Sequence, residues 1–294
     1  MKISGFTFVR NAFLLSYPLE ESIKSLLDIC NEVIIAVGKS EDETLQFLLS
    51  LNNPKLLIIE TIWDEKLNRN GIIYSQQTNL ALDRCSGNWC IYLQADEVLH
   101  ENDYQQIITD IQKADRNPII DGILFKYLHF YGSYDYIGTG RQWYRREIRA
   151  FKNKKNIISW GDAQGFRKIV NNRYEKLKVI ETQATIYHYG WVRPPKAQTR
   201  KIIKTNEYYH ATKRNEKYED SLPDFDYNTA YQLEKYNGSH PKTIQKRIEQ
   251  DKVWTKYFNP YKLKKKPLLI KILDKIEKKT NYRIGEYKDF KLIR

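Results

Sequence analysis

The first 115 residues alternate between short apolar stretches and longer stretches with helical spacing. Strands are predicted at residues 3–9, 32–37, 55–62 and 89–94, and helices at 18–29, 43–51, 71–83 and 102–113. Strands that alternate with helices favour a mainly parallel sheet with helices on both faces and right-handed crossovers. The sequence therefore predicts an α/β fold.

The fourth predicted strand is the most informative segment, because it runs directly into two acids. Its apolar residues lead through Gln94 and Ala95 to Asp96 and Glu97. A strand that is apolar throughout is buried on both faces, and ligands of open α/β sheets bind outside the carboxyl ends of the strands. Acids at that edge indicate a site for a metal ion and a phosphate group.

The segment 37–44 has two interpretations. Gly38 ends a predicted strand, and Ser40 and Glu43 have the spacing of a capping box for the next helix. Alternatively, the free N–H groups of that helix start, together with Asp42, border a nucleotide pocket. The segment alone favours the helix cap.

Aromatic and basic residues are interleaved from residue 123 onward, in a region that reads as extended strands and loops. Aromatic rings beside guanidinium groups suit sugars and phosphates, and they also suit single-stranded nucleic acid. An ordinary β region with an aromatic core has the same composition. The residues concerned include Phe125, Tyr127, His129, Tyr131, Arg141, Trp143, Arg145 and Arg149.

The C-terminal part, residues 196–294, reads as a basic, mainly helical extension. Residues 1–150 contain 15 Lys and Arg against 20 Asp and Glu, whereas residues 151–294 contain 34 against 16. Leu269, Ile272, Leu273 and Ile276 follow helical spacing, and lysines occupy the other faces. This basic amphipathic helix either lies on an anionic membrane surface or packs its apolar stripe on the rest of the protein, which the short stripe favours.

Cellular location follows from what the chain lacks. It contains no apolar run of the roughly 20 residues needed to cross a membrane, and it does not start like a secretory signal. We expect a cytoplasmic protein, with peripheral binding to the inner face of the membrane as a second option.

Three segments taken together resemble the family 2 glycosyltransferases of GT-A fold: residues 4–11, residues 40–44 and residues 89–97. Residues 125–149, 161–167 and 188–195 also resemble an uncharacterised bacterial subgroup of that family. The resemblance implies a Rossmann-like, mixed and mainly parallel sheet in a catalytic domain of residues 1–195. It also implies a nucleotide-sugar donor, contacted by Phe8, Val9, Arg10, Asn11, Gly38, Ser40, Asp42 and Gln94.

A divalent metal, Mn²⁺ or Mg²⁺, is the cofactor that the resemblance implies. Asp96 stands at the last acid of the family's Asp-x-Asp motif, and His188 is the second candidate ligand because many GT-A enzymes carry a late histidine near the metal. Two positions depart from the pattern: Gln94 replaces the first acid of the motif, and Val37-Gly38 replaces the acids that contact the base. The identity of the base is therefore open.

An inverting transferase also needs a base for the acceptor hydroxyl. Asp162, between Gly161 and Ala163 in a polar loop, is the candidate, and Asp135 and Glu147 are the rivals. Clamping of the diphosphate is assigned to arginines, because negative charge develops on the leaving group. The three candidates are Arg141, Arg145 and Arg167.

The predicted function is therefore transfer of a sugar from a nucleotide-sugar to a glycan or lipid-linked acceptor in polysaccharide biosynthesis, metal-dependent and with inversion. The first alternative is a degenerate GT-A protein that binds nucleotide without turnover, which the two departures support. The second is a single-stranded nucleic-acid-binding protein, for which the sequence contains no compact motif.

Overall fold

The computed structural model describes residues 1–211, 222–280 and 282–293 of the 294-residue chain. Seven α-helices occur in these parts: α1 (Leu19–Ile29), α2 (Thr44–Ser50), α3 (Ile72–Leu82), α4 (Tyr104–Asp115), α5 (Pro195–His210), α6 (Gln245–Thr255) and α7 (Leu268–Thr280). The strands are β1 (Ile3–Val9), β2 (Glu32–Gly38), β3 (Leu56–Thr61), β4 (Trp89–Tyr92), β5 (Glu97–Leu99), β6 (Gly122–Tyr131), β7 (Ser133–Gly138), β8 (Arg146–Lys152), β9 (Ile157–Trp160), β10 (Gly165–Val170), β11 (Arg173–Trp191), β12 (Leu233–Lys235) and β13 (Phe290–Leu292).

These strands form one mixed sheet whose main order is β3-β2-β1-β4-β8-β6-β11-β10-β9. The first four strands are parallel neighbours. β8 runs antiparallel to both β4 and β6, and β6 pairs with β11 in parallel. The mixed, mainly parallel α/β fold predicted from the sequence is confirmed.

The N-terminal elements match the predicted ones closely, because their apolar pattern reflects complete burial. Residues 33–38 of β2 and all of β4 are buried, so neither strand shows alternation. The inner face of α1 buries Ile23 and Leu26 in the same cluster as the strand residues Val33 and Ile91.

The C-terminal extension contributes to the same sheet. β12 pairs with β7, and β13 pairs in parallel with the start of β11. The described part of the extension thus contains three α-helices, two short 3₁₀ helices and two short strands, while residues 212–221, 281 and 294 lie outside the described residues. A domain boundary at residue 195 stays a prediction.

Helix α7 packs through a face that the sequence did not indicate. Leu269 and Ile272 are exposed, whereas Asp274 and Glu277 turn towards the body of the protein and pair with arginines. The expectation that the apolar stripe covers the body is therefore wrong for these residues. Within the described residues, no helix is long and apolar enough to span a bilayer.

Candidate functional site

A cavity of about 600 Å³ opens at the carboxyl ends of β1 and β4. Residues that follow β1 and β4 form one wall, and side chains of α5 form the opposite wall. The parallel strands end at the same edge of the sheet, so segments far apart in sequence converge there. This edge is where the sequence predicted a ligand.

Half of the predicted site residues line this cavity. They are Phe8, Val9, Arg10, Asn11, Gln94, Asp96 and Asp162. Three predicted nucleotide contacts, Gly38, Ser40 and Asp42, are not among the lining residues. The structure gives each of these three a different role.

The turn after β2 supports the loop that follows β1. Ser40 accepts a hydrogen bond from the Asn11 N–H (3.0 Å), and Asp42 accepts from the N–H groups of Phe13 (3.0 Å) and Leu14 (2.8 Å). Helix α2 begins at Thr44, whose N–H donates to Asp42, and Glu43 makes no capping bond. The predicted capping box is therefore not formed, because the Ser40 hydroxyl binds the loop after β1 and Glu43 makes no cap bond.

Gly38 makes room for an aromatic side chain. A Cβ atom at this position would lie 2.3 Å from Nε1 of Trp63, so only glycine allows the indole to pack there. Trp63 lines the cavity, and the Arg10 guanidinium lies 5.6 Å from its ring centroid. An aromatic wall thus lies next to the position where the family usually has an acid.

Asp96 is the acid at the centre of the cavity wall. Its Oδ2 accepts hydrogen bonds from Lys201 Nζ (3.0 Å) and Arg193 Nη2 (3.2 Å). Burial opposes ionisation of Asp96, but the charges of Lys201 and Arg193 and the hydrogen bond from Lys201 outweigh it and hold the pKa below its usual range. Asp96 is therefore a buried carboxylate with cationic partners.

His188 faces the other oxygen of this carboxylate and has a fixed partner behind it. Its Nε2 lies 3.8 Å from Asp96 Oδ1, and its Nδ1 lies 2.9 Å from His129 Nδ1. His129 Nε2 is 2.7 Å from the Tyr144 carbonyl, which can only accept, so this nitrogen carries the proton. Burial lowers the pKa of His188 to about 4 and that of His129 to about 3, so both rings are neutral at pH 7.

The chain of hydrogen bonds assigns the tautomer of His188. A neutral His129 protonated at Nε2 has a lone pair on Nδ1, so His188 must donate from its own Nδ1. The Nε2 lone pair of His188 then points at Asp96 Oδ1. A Cβ atom at Gly190 would lie 2.4 Å from this nitrogen and 2.8 Å from Asp96 Oδ2, so glycine permits their approach.

These two atoms fit a divalent cation. A carboxylate oxygen and an imidazole lone pair 3.8 Å apart are suitable ligands, and Mg²⁺ or Mn²⁺ accepts one or two protein ligands beside phosphate oxygens and water. Of the two residues, Asp96 lines the cavity and His188 does not. Within the described residues, His, Cys, Asp and Glu form no cluster of three that could bind a metal ion alone. Any cation bound here would therefore depend on ligands from the donor.

Asp162 approaches the cavity from the loop between β9 and β10. Its Oδ2 accepts a hydrogen bond of 2.6 Å from Tyr209 Oη, and both residues line the cavity. Of the two rivals, Glu147 is buried and accepts from Gln164 Nε2 (2.8 Å), whereas Asp135 is exposed. Neither rival lines the cavity, so the structure brings only Asp162 of the three to Asp96.

The sequence profile described as glycosyl transferase family 2 matches residues 11–175, which is more than half of the chain. The chain belongs to this family. It is a glycosyltransferase of GT-A fold. No curated protein matches it.

Solved structures similar to this transferase include TarS from S. aureus. The complex with UDP-GlcNAc shares 20% identity over 44% of this chain and 35% of that chain, with a TM-score of 0.32. A second TarS structure shares 16% identity over 75% and 42% of the two chains, with a TM-score of 0.42. The 4-diphosphocytidyl-2C-methyl-D-erythritol synthase of Anaerococcus prevotii shares 12% identity over 70% and 95%, with a TM-score of 0.36. The transferase thus spans less than half of the first two chains, and scores this low carry no information on its substrate.

The three arginines predicted to clamp the diphosphate lie elsewhere in the transferase. Arg141 pairs with Glu277 (3.0 Å) on α7, and Arg145 pairs with Glu286 (2.8 Å). Arg167 pairs with Asp289. All three anchor the C-terminal segment, and none lines the cavity.

The cationic side chains that do line the cavity are Arg10, Lys201 and Lys204. Neither lysine was predicted from the sequence to belong to the site. They lie on α5 at a spacing that places them on one helical face with Thr205 and Tyr208, which also line the cavity. The sequence pattern that could have identified the two lysines is a polar helical face directly after the His188 segment.

Glu97 has a structural role. Its two carboxylate oxygens accept bidentate hydrogen bonds of 2.8 Å from the buried Arg149, and Tyr127 Oη donates to the same carboxylate at 2.8 Å. A buried ion pair with all its polar atoms bonded fixes the orientation of the segment around Asp96.

Proposed function

We propose that this transferase moves a sugar from a nucleotide-sugar donor to a hydroxyl group of a glycan or lipid-linked acceptor, with inversion. The observation that carries the proposal is that Asp96 and Asp162 line one cavity at the carboxyl edge of the sheet. An acid at the end of β4 and a second acid across the cavity provide the two groups that such a reaction needs. The acceptor class is consistent with a role in polysaccharide biosynthesis.

The donor's nucleotide would lie along residues 8–11, beside the aromatic wall of Trp63 and Tyr74. Because Val37-Gly38 stands where the family has its acids and Trp63 packs against Gly38, base recognition would rely on stacking more than on a carboxylate. The diphosphate would lie near Asp96, where Lys201, Lys204 and Arg10 supply positive charge. Charge that develops on the leaving group would thus be stabilised by side chains of α5.

Asp96 and His188 would hold a divalent cation, Mn²⁺ or Mg²⁺, which would supply positive charge to offset that of the diphosphate. Lys201 and Arg193 would keep Asp96 ionised, and the His129 contact would orient His188. These residues hold their places without help from the donor, because each has partners within the protein.

Asp162 is the proposed general base. Its carboxylate would accept the proton of the acceptor hydroxyl while the nucleoside diphosphate departs from the opposite face of the sugar. Tyr209 Oη donates to Asp162 Oδ2 and leaves Oδ1 as the oxygen available for proton transfer. Gln164 N–H contacts that oxygen only at 3.4 Å.

Thermal-shift measurements with UDP-, GDP-, CMP- and dTDP-sugars, with and without Mn²⁺, test this proposal. A ligand that binds only the folded state raises its apparent stability. We expect one nucleotide class to raise the midpoint, and more so with Mn²⁺. Absence of any shift would refute the donor site.

A non-catalytic nucleotide-binding protein is the second candidate, since Asp96 already has two cationic partners and Gln94 replaces an acid. A protein of this kind would bind the donor without releasing nucleoside diphosphate.

A further inference from the structure

Helix α7 has two faces of opposite chemistry. Three apolar side chains of this helix are exposed: Leu268 (74%), Leu269 (65%) and Ile272 (48%). Lys271, Lys275, Lys278 and Lys279 are exposed on the same helix. An aliphatic strip flanked by lysines is therefore presented to solvent.

Both acids of α7 are directed away from this surface. Asp274 pairs with Lys266 (2.7 Å) and Arg141 (3.4 Å), and Glu277 pairs with Arg141 (3.0 Å) and Arg145 (3.4 Å). The helix is thus attached to the body by these ion pairs and by the half-buried side chains of Leu273 and Ile276, while Leu268, Leu269 and Ile272 stay exposed. The outward face consequently has positive charge with no acid of the helix to neutralise it.

We propose that this face, defined by Leu268, Leu269, Ile272 and the four lysines, binds the surface of an anionic lipid bilayer. Helices of this kind lie in the interfacial plane, with aliphatic side chains at the acyl boundary and lysines at the headgroups. Each basic residue near an anionic surface strengthens binding roughly fivefold. Lys264 and Lys265, both exposed just before the helix, add to the same charge.

Charge argues against the other occupants. A second copy of the chain would bring the same lysines against one another in a two-fold interface, and like charges there repel. Nucleic acid would match the lysines, but it would leave the three aliphatic side chains without an apolar environment. Only an anionic bilayer matches both features of the face.

Vesicle flotation with the full chain tests the proposal. We expect binding to vesicles of phosphatidylcholine mixed with phosphatidylglycerol, and weak binding to phosphatidylcholine alone. Leu268→Ser combined with Ile272→Ser should reduce partitioning about tenfold or more. Each Lys→Gln change at positions 271, 275, 278 and 279 should reduce it about fivefold at low salt.

Matched controls are Leu49→Ser on α2 and Lys113→Gln on α4, whose side chains are also exposed. They should leave partitioning unchanged. Equal binding to both vesicle types, or no effect of the α7 variants, would overturn the proposal. So would a dimer that the serine variants dissociate, or oligonucleotide binding that only the lysine variants lose.

The proposal does not rest on transferase activity, because vesicle binding needs no donor. The same variants should retain the donor-induced thermal shift, since α7 does not line the cavity. If the protein does not bind vesicles but keeps the donor-induced thermal shift, only the proposed membrane-binding face of α7 is overturned.

Discussion

Lys201 Nζ lies 3.0 Å from Asp96 Oδ2, and the buried Arg193 donates to the same oxygen at 3.2 Å. Asp96 is therefore both the central acid of the donor cavity and the counter-ion of a guanidinium that is inaccessible to solvent. This double role links the stability of the protein to its site.

Replacing Asp96 should affect stability as well as donor binding. Asp96→Asn removes the negative charge beside Arg193, and an unpaired buried charge costs about 3–5 kcal/mol. We expect a lower urea midpoint in addition to lost donor binding. Asp162→Asn is the control, because no cationic side chain among the described residues pairs with Asp162, and this variant should lose less than about 1 kcal/mol. Equal stability of the two variants would contradict this view of Asp96.

Turnover should depend on Asp162 more than donor affinity does. Asp162→Asn keeps an oxygen that can accept from Tyr209 but cannot take a proton, so we expect roughly a 10²–10⁴-fold lower rate. The donor-induced thermal shift should be retained. Steady-state kinetics with Glu147→Gln as the matched variant checks the assignment, and a larger loss in that variant would move the base to Glu147.

His129 should control cation binding through the tautomer of His188. His129→Phe removes the acceptor of the His188 Nδ1–H while keeping an aromatic ring, and loss of such a partner typically weakens metal binding 10–100-fold. Titration of Mn²⁺ by electron paramagnetic resonance, with the nucleoside diphosphate present, measures the effect.

The wild-type protein offers an independent check of the tautomer that does not depend on folding of the variant. Nitrogen-15 spectra of the imidazoles should show His188 protonated at Nδ1 and unprotonated at Nε2. The opposite assignment would be incompatible with the role given to His129.

Glu147 should make stability depend on pH. Burial raises its pKa to about 8, partly opposed by the charge of Arg149, so the folded protein keeps a proton that the unfolded chain loses near pH 4.5. The stability from this group is complete below pH 4.5 and is lost as pH rises through 8, at about 1.4 kcal/mol per unit.

Glu147→Gln keeps the oxygen that accepts from Gln164 and removes the titration. In urea unfolding, the difference in the free energy of unfolding between Glu147→Gln and wild type should therefore favour the variant more at pH 7.5 than at pH 5. Parallel pH profiles for the two proteins would show that Glu147 ionises normally.

The sequence predicted what depends on local pattern. Strand β4 and Asp96 were found because a buried strand followed by acids is a short-range signal. The partners of the arginines were not, because they lie far along the chain: Arg145 and Glu286 are 141 residues apart. In the same way, the residues around Lys201 in the sequence do not reveal that α5 lies opposite Asp96 in the cavity. The position of α5 depends on β11, the strand before it, and on the pairing of β11 with β6.

The face of α7 shows a related limit. Helical spacing identified its apolar stripe correctly, but spacing cannot show which face has partners. Arg141 and Arg145 provide partners for the two acids from distant parts of the chain, so the face with the acids is turned towards the body.

The most direct test of the account is a time course of donor consumption, followed by nuclear magnetic resonance of the anomeric proton with the nucleotide-sugar that binds. We predict that wild-type protein releases nucleoside diphosphate, slowly to water and faster with acceptor glycan. Asp162→Asn should bind the donor and leave it intact. A donor that binds wild type yet stays intact through long incubation with acceptor, or equal release by both proteins, would contradict the proposed catalytic site.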